Sequence, residues 1–370
     1  MHDKGSREHY LQNDIAEMRV VIRRKAVSRL KEDLAGKKVL FVTTKELDYI
    51  RNVQEINMIR CNSDECYVAG SNSNKYWQRV LTAYFRSIKV CLSEKVDVVW
   101  VGFAPQLMRP LFSLYKQNKR MLYIDFFISL FDTMVCDRKC LKETSLFAQI
   151  LFKLDKSTIQ SADYFVADTK AHKNYFIDAF QVDDSHGEVL YLCADQSIYY
   201  PHQPNLPDEL KDKFVVLYFG SILPLQGVEF VIKAISILKD INEIYFILIG
   251  PLEKMKEVAL PVSDNVTCYS WLSQDCLAEK IAIADLCLAG HFNGNIEKAK
   301  RTIAGKTFIY QAMEKKIVLG DSPANRELFI EDENYCYVPM SDENELANCI
   351  LSCFSEWKKI KAKEQKNVFG

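Results

Sequence analysis

Residues 286–327 read LCLAGHFNGNIEKAKRTIAGKTFIYQAMEKKIVLGDSPANRE. The order is an apolar strand, a polar loop with glycines, a helix, a second strand and an acidic turn. Lys298, Lys300, Arg301 and Lys306 place four cations within nine positions, beside glycines that let backbone approach a ligand closely. A helix start offers unpaired N–H groups and a partial positive charge, so this pattern suits an anion. A solvated basic helix start would show the same charges.

Upstream of this stretch the same alternation recurs. FVVLYFGS (214–221), IYFILIG (244–250), VTCYSW (266–271) and DLCLAG (285–290) read as strands, with helices over 228–239 and 274–284. Before them PHQPNLPDELKD holds three prolines among polar residues, and residues 201–213 read as a linker. Before the linker the strands are 38–44, 66–71, 96–103, 121–127, 164–169 and 189–195, with a helix over 76–93. Continuous apolar strands separated by helices imply parallel sheets covered on both faces, hence α/β architecture with two doubly wound, Rossmann-like domains. The expected organisation is a basic amphipathic helix (1–36), a first domain (37–200), the linker, a second domain (214–345), and a C-terminal helix and frayed tail (346–370) crossing back. A cleft between two such domains is the natural ligand position. In parallel sheets ligands sit beyond carboxyl strand ends, which singles out Thr43, Thr44, Gly102, Asp125, Asp168 and Asp195.

Composition narrows the class. The chain has 370 residues, 48% hydrophobic and 26% charged, with a net charge of −1, which argues against nucleic acid as the main partner. No apolar run approaches the ~20 residues of a membrane span and no signal-peptide core opens the chain, so a cytoplasmic protein is expected. Leu11, Ile15, Met18, Ile22, Leu30 and Leu34 predict one helix over 7–35, whose other face carries Arg19, Arg23, Arg24, Lys25, Arg29 and Lys31. Such a helix lies on a membrane surface, docks on a partner protein or packs on its own domain. The 12 cysteines include no C-x-x-C pair and read as reduced core residues rather than metal ligands. Neither KVLFVTTKELDYIR nor YFGSILPLQG supplies the glycine fingerprint of a dehydrogenase.

The order and spacing of LYFGSILPLQGVEFVIKAI, ILIGPL and the 285–327 block resemble the donor domain of retaining glycosyltransferases of the GT-B fold, close to family 4. IDFFISLFDTMVCDRK (124–139) and LYLCADQSIYYP (190–201) are similar to the first domain of bacterial members. The resemblance implies transfer of a sugar from a nucleotide sugar, held by the second domain, to a glycan, lipid-linked or protein acceptor held by the first. It implies no metal and no cofactor, because cations and backbone N–H groups take up the leaving diphosphate's charge.

Carried over residue by residue, the donor site comprises Gly220, Ser221, Gln226, Gly227, His291, Lys298, Arg301, Lys306 and Glu327. Asp125 stands where a sugar-contacting group is expected and is the catalytic candidate. Asp132, Asp137 and Arg138 are expected on the acceptor side. The sequence departs from the family where cations usually meet the diphosphate, at Ser221 and Gln226. It departs again at Arg301 and Ile309, which replace glutamates, and at Glu314 and Lys316, which replace a glycine and a proline. Two functions follow: an active transferase whose remaining cations hold the diphosphate, or an inactive GT-B homologue serving as subunit or partner of another transferase.

Overall fold

The computed structural model describes residues 29–255 and 263–369. The chain divides into two compact units, one running to Thr133 and including Leu141–Leu192, the other holding Met134–Cys140 and everything from Cys193 onward. Of the helix expected over 7–35, residues 29–35 fall in the described part, with 29–34 helical (α1), and residues 1–28 lie outside it.

The first unit runs β1 (Lys38–Val42), α2 (Ile50–Asn62), β2 (Glu65–Ala69), α3 (Tyr76–Ser93), β3 (Val98–Val101), α4 (Phe112–Tyr115), β4 (Met121–Asp125), α5 (Leu146–Ser161), β5 (Tyr164–Ala167), α6 (Lys170–Phe180) and β6 (Gly187–Val189). Its sheet is parallel, in the order β2-β1-β3-β4-β5-β6. Successive residues of β1 alternate between two cores, as the two-residue period of a strand requires. Leu40 and Val42 meet Ala83, Phe112 and Phe176 on one face. Val39 and Phe41 meet Leu30, Leu34, Ile56 and Ile59 on the other. Helix starts follow their caps: Ser145 accepts from Ala148 N at 3.2 Å and Thr169 from His172 N at 3.0 Å.

The second unit runs β7 (Phe214–Phe219), α7 (Val228–Leu238), β8 (Ile244–Ile249), β9 (Val266–Tyr269), α8 (Gln274–Ala282), β10 (Leu286–Leu288), α9 (Glu297–Arg301), α10 (Gly305–Ala312), β11 (Lys316–Gly320), α11 (Pro323–Arg326), β12 (Tyr335–Val338) and α12 (Glu343–Phe369). This parallel sheet has the order β12-β11-β10-β7-β8-β9, the doubly wound order, whose direction of growth reverses between β7 and β10. Leu346, Ala347, Ile350, Cys353 and Phe354 of α12 enter the core formed by α7, β7 and β8.

Three expectations are corrected. Residues 189–195 were expected as a strand, but β6 ends at Val189. Gln54 Nε2 donates to Tyr191 O at 2.7 Å and Arg51 donates to Leu190 O, so side chains take the carbonyls a ladder would use. The cations expected in a loop and at the start of one helix lie on two helices: Lys298, Lys300 and Arg301 form part of α9, which ends where Thr302 Oγ1 bonds back to Lys298 O at 3.0 Å and the chain is extended at Thr302, and Lys306 lies on α10. The expected frayed tail continues as helix to Phe369. No helix among the described residues is long and apolar enough to cross a membrane.

Candidate functional site

At the point where the second sheet reverses, the chain leaving β7 turns at Gly220 and the chain leaving β10 turns at Gly290 and His291. Two close backbone approaches build this corner. A Cβ on Gly250 would lie 2.3 Å from Gly220 O, so the ends of β7 and β8 meet backbone to backbone. Gly227, at φ 66°, leaves no room for a Cβ, which would lie 2.6 Å from Asn293 N. Phe292 N donates to Gln226 O at 3.2 Å, which knits the turn after β7 to the loop after β10.

Lys306 occupies this corner. It is the second residue of α10, whose start has no side-chain cap, and it is only 5% exposed. Its Nζ stands 3.8 Å from the Tyr218 ring centroid, and a Cβ on Gly220 would lie 2.9 Å from that same nitrogen. Among the described residues no hydrogen-bond acceptor meets Lys306 Nζ, and the buried hydroxyls of Tyr218 and Thr307 likewise have no partner. Burial pushes the Lys306 amine well below its usual pKa. A cation–π contact with a desolvated ring is worth ~2 kcal/mol, whereas stripping water from an ammonium costs several. Desolvation therefore wins over the ring, and the site is electrostatically incomplete without an anion.

The other donor-site candidates distribute as follows. His291 is buried, with Nε2 3.3 Å from Thr302 Oγ1. Its carbonyl fits against β11 only because Gly320 has no Cβ, which would come within 1.9 Å. Lys298 and Arg301 are half-buried on α9. Ser221 is exposed, and the Gln226 side-chain oxygen is buried without a partner among the described residues. Glu327 is half-buried just beyond α11, which packs on α9. Gly220, Gln226, Gly227, His291 and Lys306 are thus brought together. Lys300, counted with the cation cluster, instead pairs with Glu297 at 2.6 Å. Ile309 is buried on α10, and Glu314 ends that helix at φ 53°, the left-handed conformation that glycine adopts without strain.

Asp125 stands elsewhere, in the first unit. Both its oxygens accept from Arg51, at 3.0 Å from Nε and 2.9 Å from Nη2. Glu55 lies 3.8 Å from Arg51 Nε and accepts from Trp100 Nε1 at 3.1 Å. Burial, reinforced by the Asp125 charge, pushes the Glu55 carboxyl well above its usual range. One guanidinium thus serves two buried carboxyls, an arrangement that holds β4 to α2. No local pattern signals it, since Arg51 and Asp125 are 74 positions apart.

Asp132 is buried in the first unit and donates its N–H to Ser129 Oγ at 2.9 Å. Asp137 and Arg138 group with the second unit, where they line a pocket of about 430 Å³ with Leu223, Pro224, Asn293 and Ile296. The sulfurs of Cys336, Cys349 and Cys353 lie within 4.8 Å of one another on β12 and α12. No fourth ligand joins them among the described residues, and they pack on the apolar core.

Residues 213–356 match the family model described as "Glycosyl transferases group 1". The matched stretch, less than half of the chain, contains the whole corner around Lys306. The fold is GT-B. Sucrose-phosphate synthase from Thermosynechococcus elongatus aligns at TM-score 0.62 and 13% identity, covering 86% of this chain and 90% of that one. Anabaena HepE in complex with UDP aligns at TM-score 0.61 and 15% identity, over 87% and 91%. A glycosyltransferase from Rickettsia africae aligns at TM-score 0.57 and 14% identity, over 87% and 88%. No curated protein matches the sequence.

Proposed function

We propose that the second unit binds a nucleoside diphosphate sugar with its diphosphate against Lys306 and the Gly220 turn, and that the chain transfers the sugar, with retention and without a metal, to a glycan, lipid-linked or protein acceptor. The observation that carries this reading is the buried Lys306 amine, unpartnered at the strand ends where doubly wound sheets bind ligands. HepE, with the same fold, has been solved with UDP and with UDP-glucose, which supports a uridine nucleotide as the first donor to try.

The chemistry follows from charge. When the bond between the sugar's anomeric carbon and the diphosphate breaks, negative charge grows on the leaving oxygen. Lys306, protonated beside the diphosphate, offsets that charge in a site poor in water, where the effect is strongest. Lys298 and Arg301 on α9 add positive potential nearby. Asp125 serves as a positioning residue, its carboxylate held by Arg51.

Ser221, Gln226 and Ile309 favour a second reading, an inactive homologue acting as subunit of another transferase. They put uncharged groups where the resemblance expects phosphate cations and a ribose acceptor. The deciding experiment offers the full chain a panel of nucleotide sugars and measures binding and release of nucleoside diphosphate, with and without EDTA. The active reading expects at least one donor to bind and turn over, insensitive to EDTA, with binding weakened roughly tenfold or more in Lys306→Ala and Arg301→Ala. If no nucleotide binds and the chain instead associates tightly with a second transferase, the inactive reading takes its place.

A further inference from the structure

Every large apolar side chain that the first unit exposes, among the described residues, lies on one layer: α3, the turn between β3 and α4, and the start of α5. These elements bury their inner sides in the same core, through Ala83, Met108 and Ile159, so their outer sides face outward together. On α3, Trp77 (58% exposed), Leu81, Phe85 (70%) and Leu92 (73%) recur at spacings of four, four and seven, a single stripe along the helix. Leu146 and Phe147 extend the apolar surface onto α5. Ala83, Ser87 and Cys91 occupy the buried side of α3, so the stripe is surplus to the fold's own core.

The exposed charges around the stripe are mainly basic, with Glu94 at the C-cap of α3 an exception. Lys75, Arg86 and Lys89 are exposed beside it, and residues 75–93 contain no Asp or Glu. At α5 the exposed charges are Lys142 and Lys153, with Glu143 the one carboxylate between them. We propose that this face docks the chain on an anionic lipid bilayer, with Trp77, Phe85 and Leu92 at the acyl boundary and the flanking cations among the headgroup phosphates. Charge complementarity selects this occupant. Two copies meeting through α3 would bring like charges together. The basic segment before residue 29, with Arg19, Arg23, Arg24 and Lys25, has the same sign as the cations on α3. The stripe's helix packs in a different core from α1 (residues 29–34), and the proposal does not depend on the donor-site reading.

The test is sedimentation of the full chain with vesicles of phosphatidylglycerol and phosphatidylcholine, beside vesicles of phosphatidylcholine alone. The chain is expected to bind the anionic vesicles, with a blue shift of tryptophan emission that disappears in Trp77→Phe. Trp77→Ser combined with Phe85→Ser and Leu92→Ser, all exposed positions, is expected to lower the partition coefficient roughly tenfold or more while leaving thermal unfolding unchanged. Lys75→Glu with Lys89→Glu is expected to abolish the preference for anionic over neutral vesicles. Failure of the native chain to sediment would overturn the proposal, as would native-like binding by the triple serine variant. Loss of binding on removing residues 1–28, with the serine variant unaffected, would assign the membrane contact to that segment instead. A native dimer that the serine variant converts to monomer would assign the face to self-association.

Discussion

Lys306→Met is expected to make the protein more stable and its hold on nucleoside diphosphates roughly tenfold to a hundredfold weaker. The two effects share one cause, an amine buried against Tyr218 and Gly220 with no acceptor. Methionine matches the length of the chain without the polar end, so the empty protein sheds a penalty of about 1–3 kcal/mol. The bound state loses a charge-assisted hydrogen bond worth about 1.5–3 kcal/mol, hence the fall in affinity. The pH dependence has a definite sign. Burial lowers the folded-state pKa below the usual 10.5, so the unfolded chain holds the extra proton between those two values. Stability of the native sequence therefore rises with pH across that window, and the advantage of Lys306→Met shrinks as pH approaches 10.5 and levels off above it, where only the cost of the unpartnered neutral amine is left. A diphosphate restores the ammonium, so calorimetric titration should show proton uptake on binding. Thermal unfolding of both proteins across pH checks the stability half of this expectation.

Arg51→Ala is expected to cost about 3–5 kcal/mol and lower the unfolding temperature by roughly 10 °C, because it strands Asp125 and Glu55 as buried carboxyls without their cation. Here too pH gives a sign. The folded-state pKa of Glu55 is raised above 4.5, so the stability it contributes is fully present below 4.5 and is lost as pH rises through the folded value. The deficit of the variant should therefore narrow under mild acid, measured by denaturant unfolding at several pH values. The same substitution separates two roles for Asp125. A positioning carboxylate makes the loss appear in unfolding, whereas a group that contacts the sugar would make Arg51→Ala lower turnover with unfolding unchanged.

The alternation of strands and helices was legible in the sequence because both sheets are parallel and buried on both faces, so their strands read as continuous apolar runs. The helix over 76–93 appeared with the expected bounds. Strand lengths were less legible, since Leu190 and Tyr191 are as apolar as the strand they follow and only the reach of Arg51 and Gln54 ends the ladder there. Within the donor block the four cations looked alike in sequence. Burial separates them: Lys306 is enclosed at the Gly220 turn while Lys300 lies in an exposed pair with Glu297. Tyr218, which supplies the ring beneath Lys306, was hidden inside an apolar strand, where a tyrosine reads as core.

The most direct test of the diphosphate site is a crystal structure of the chain with UDP bound. The phosphates are expected at the carboxyl ends of β7 and β10, with an oxygen within hydrogen-bond distance of Lys306 Nζ beside Gly220. UDP seated elsewhere on the second unit, with Lys306 still enclosed by Tyr218 and no phosphate near it, would contradict the account.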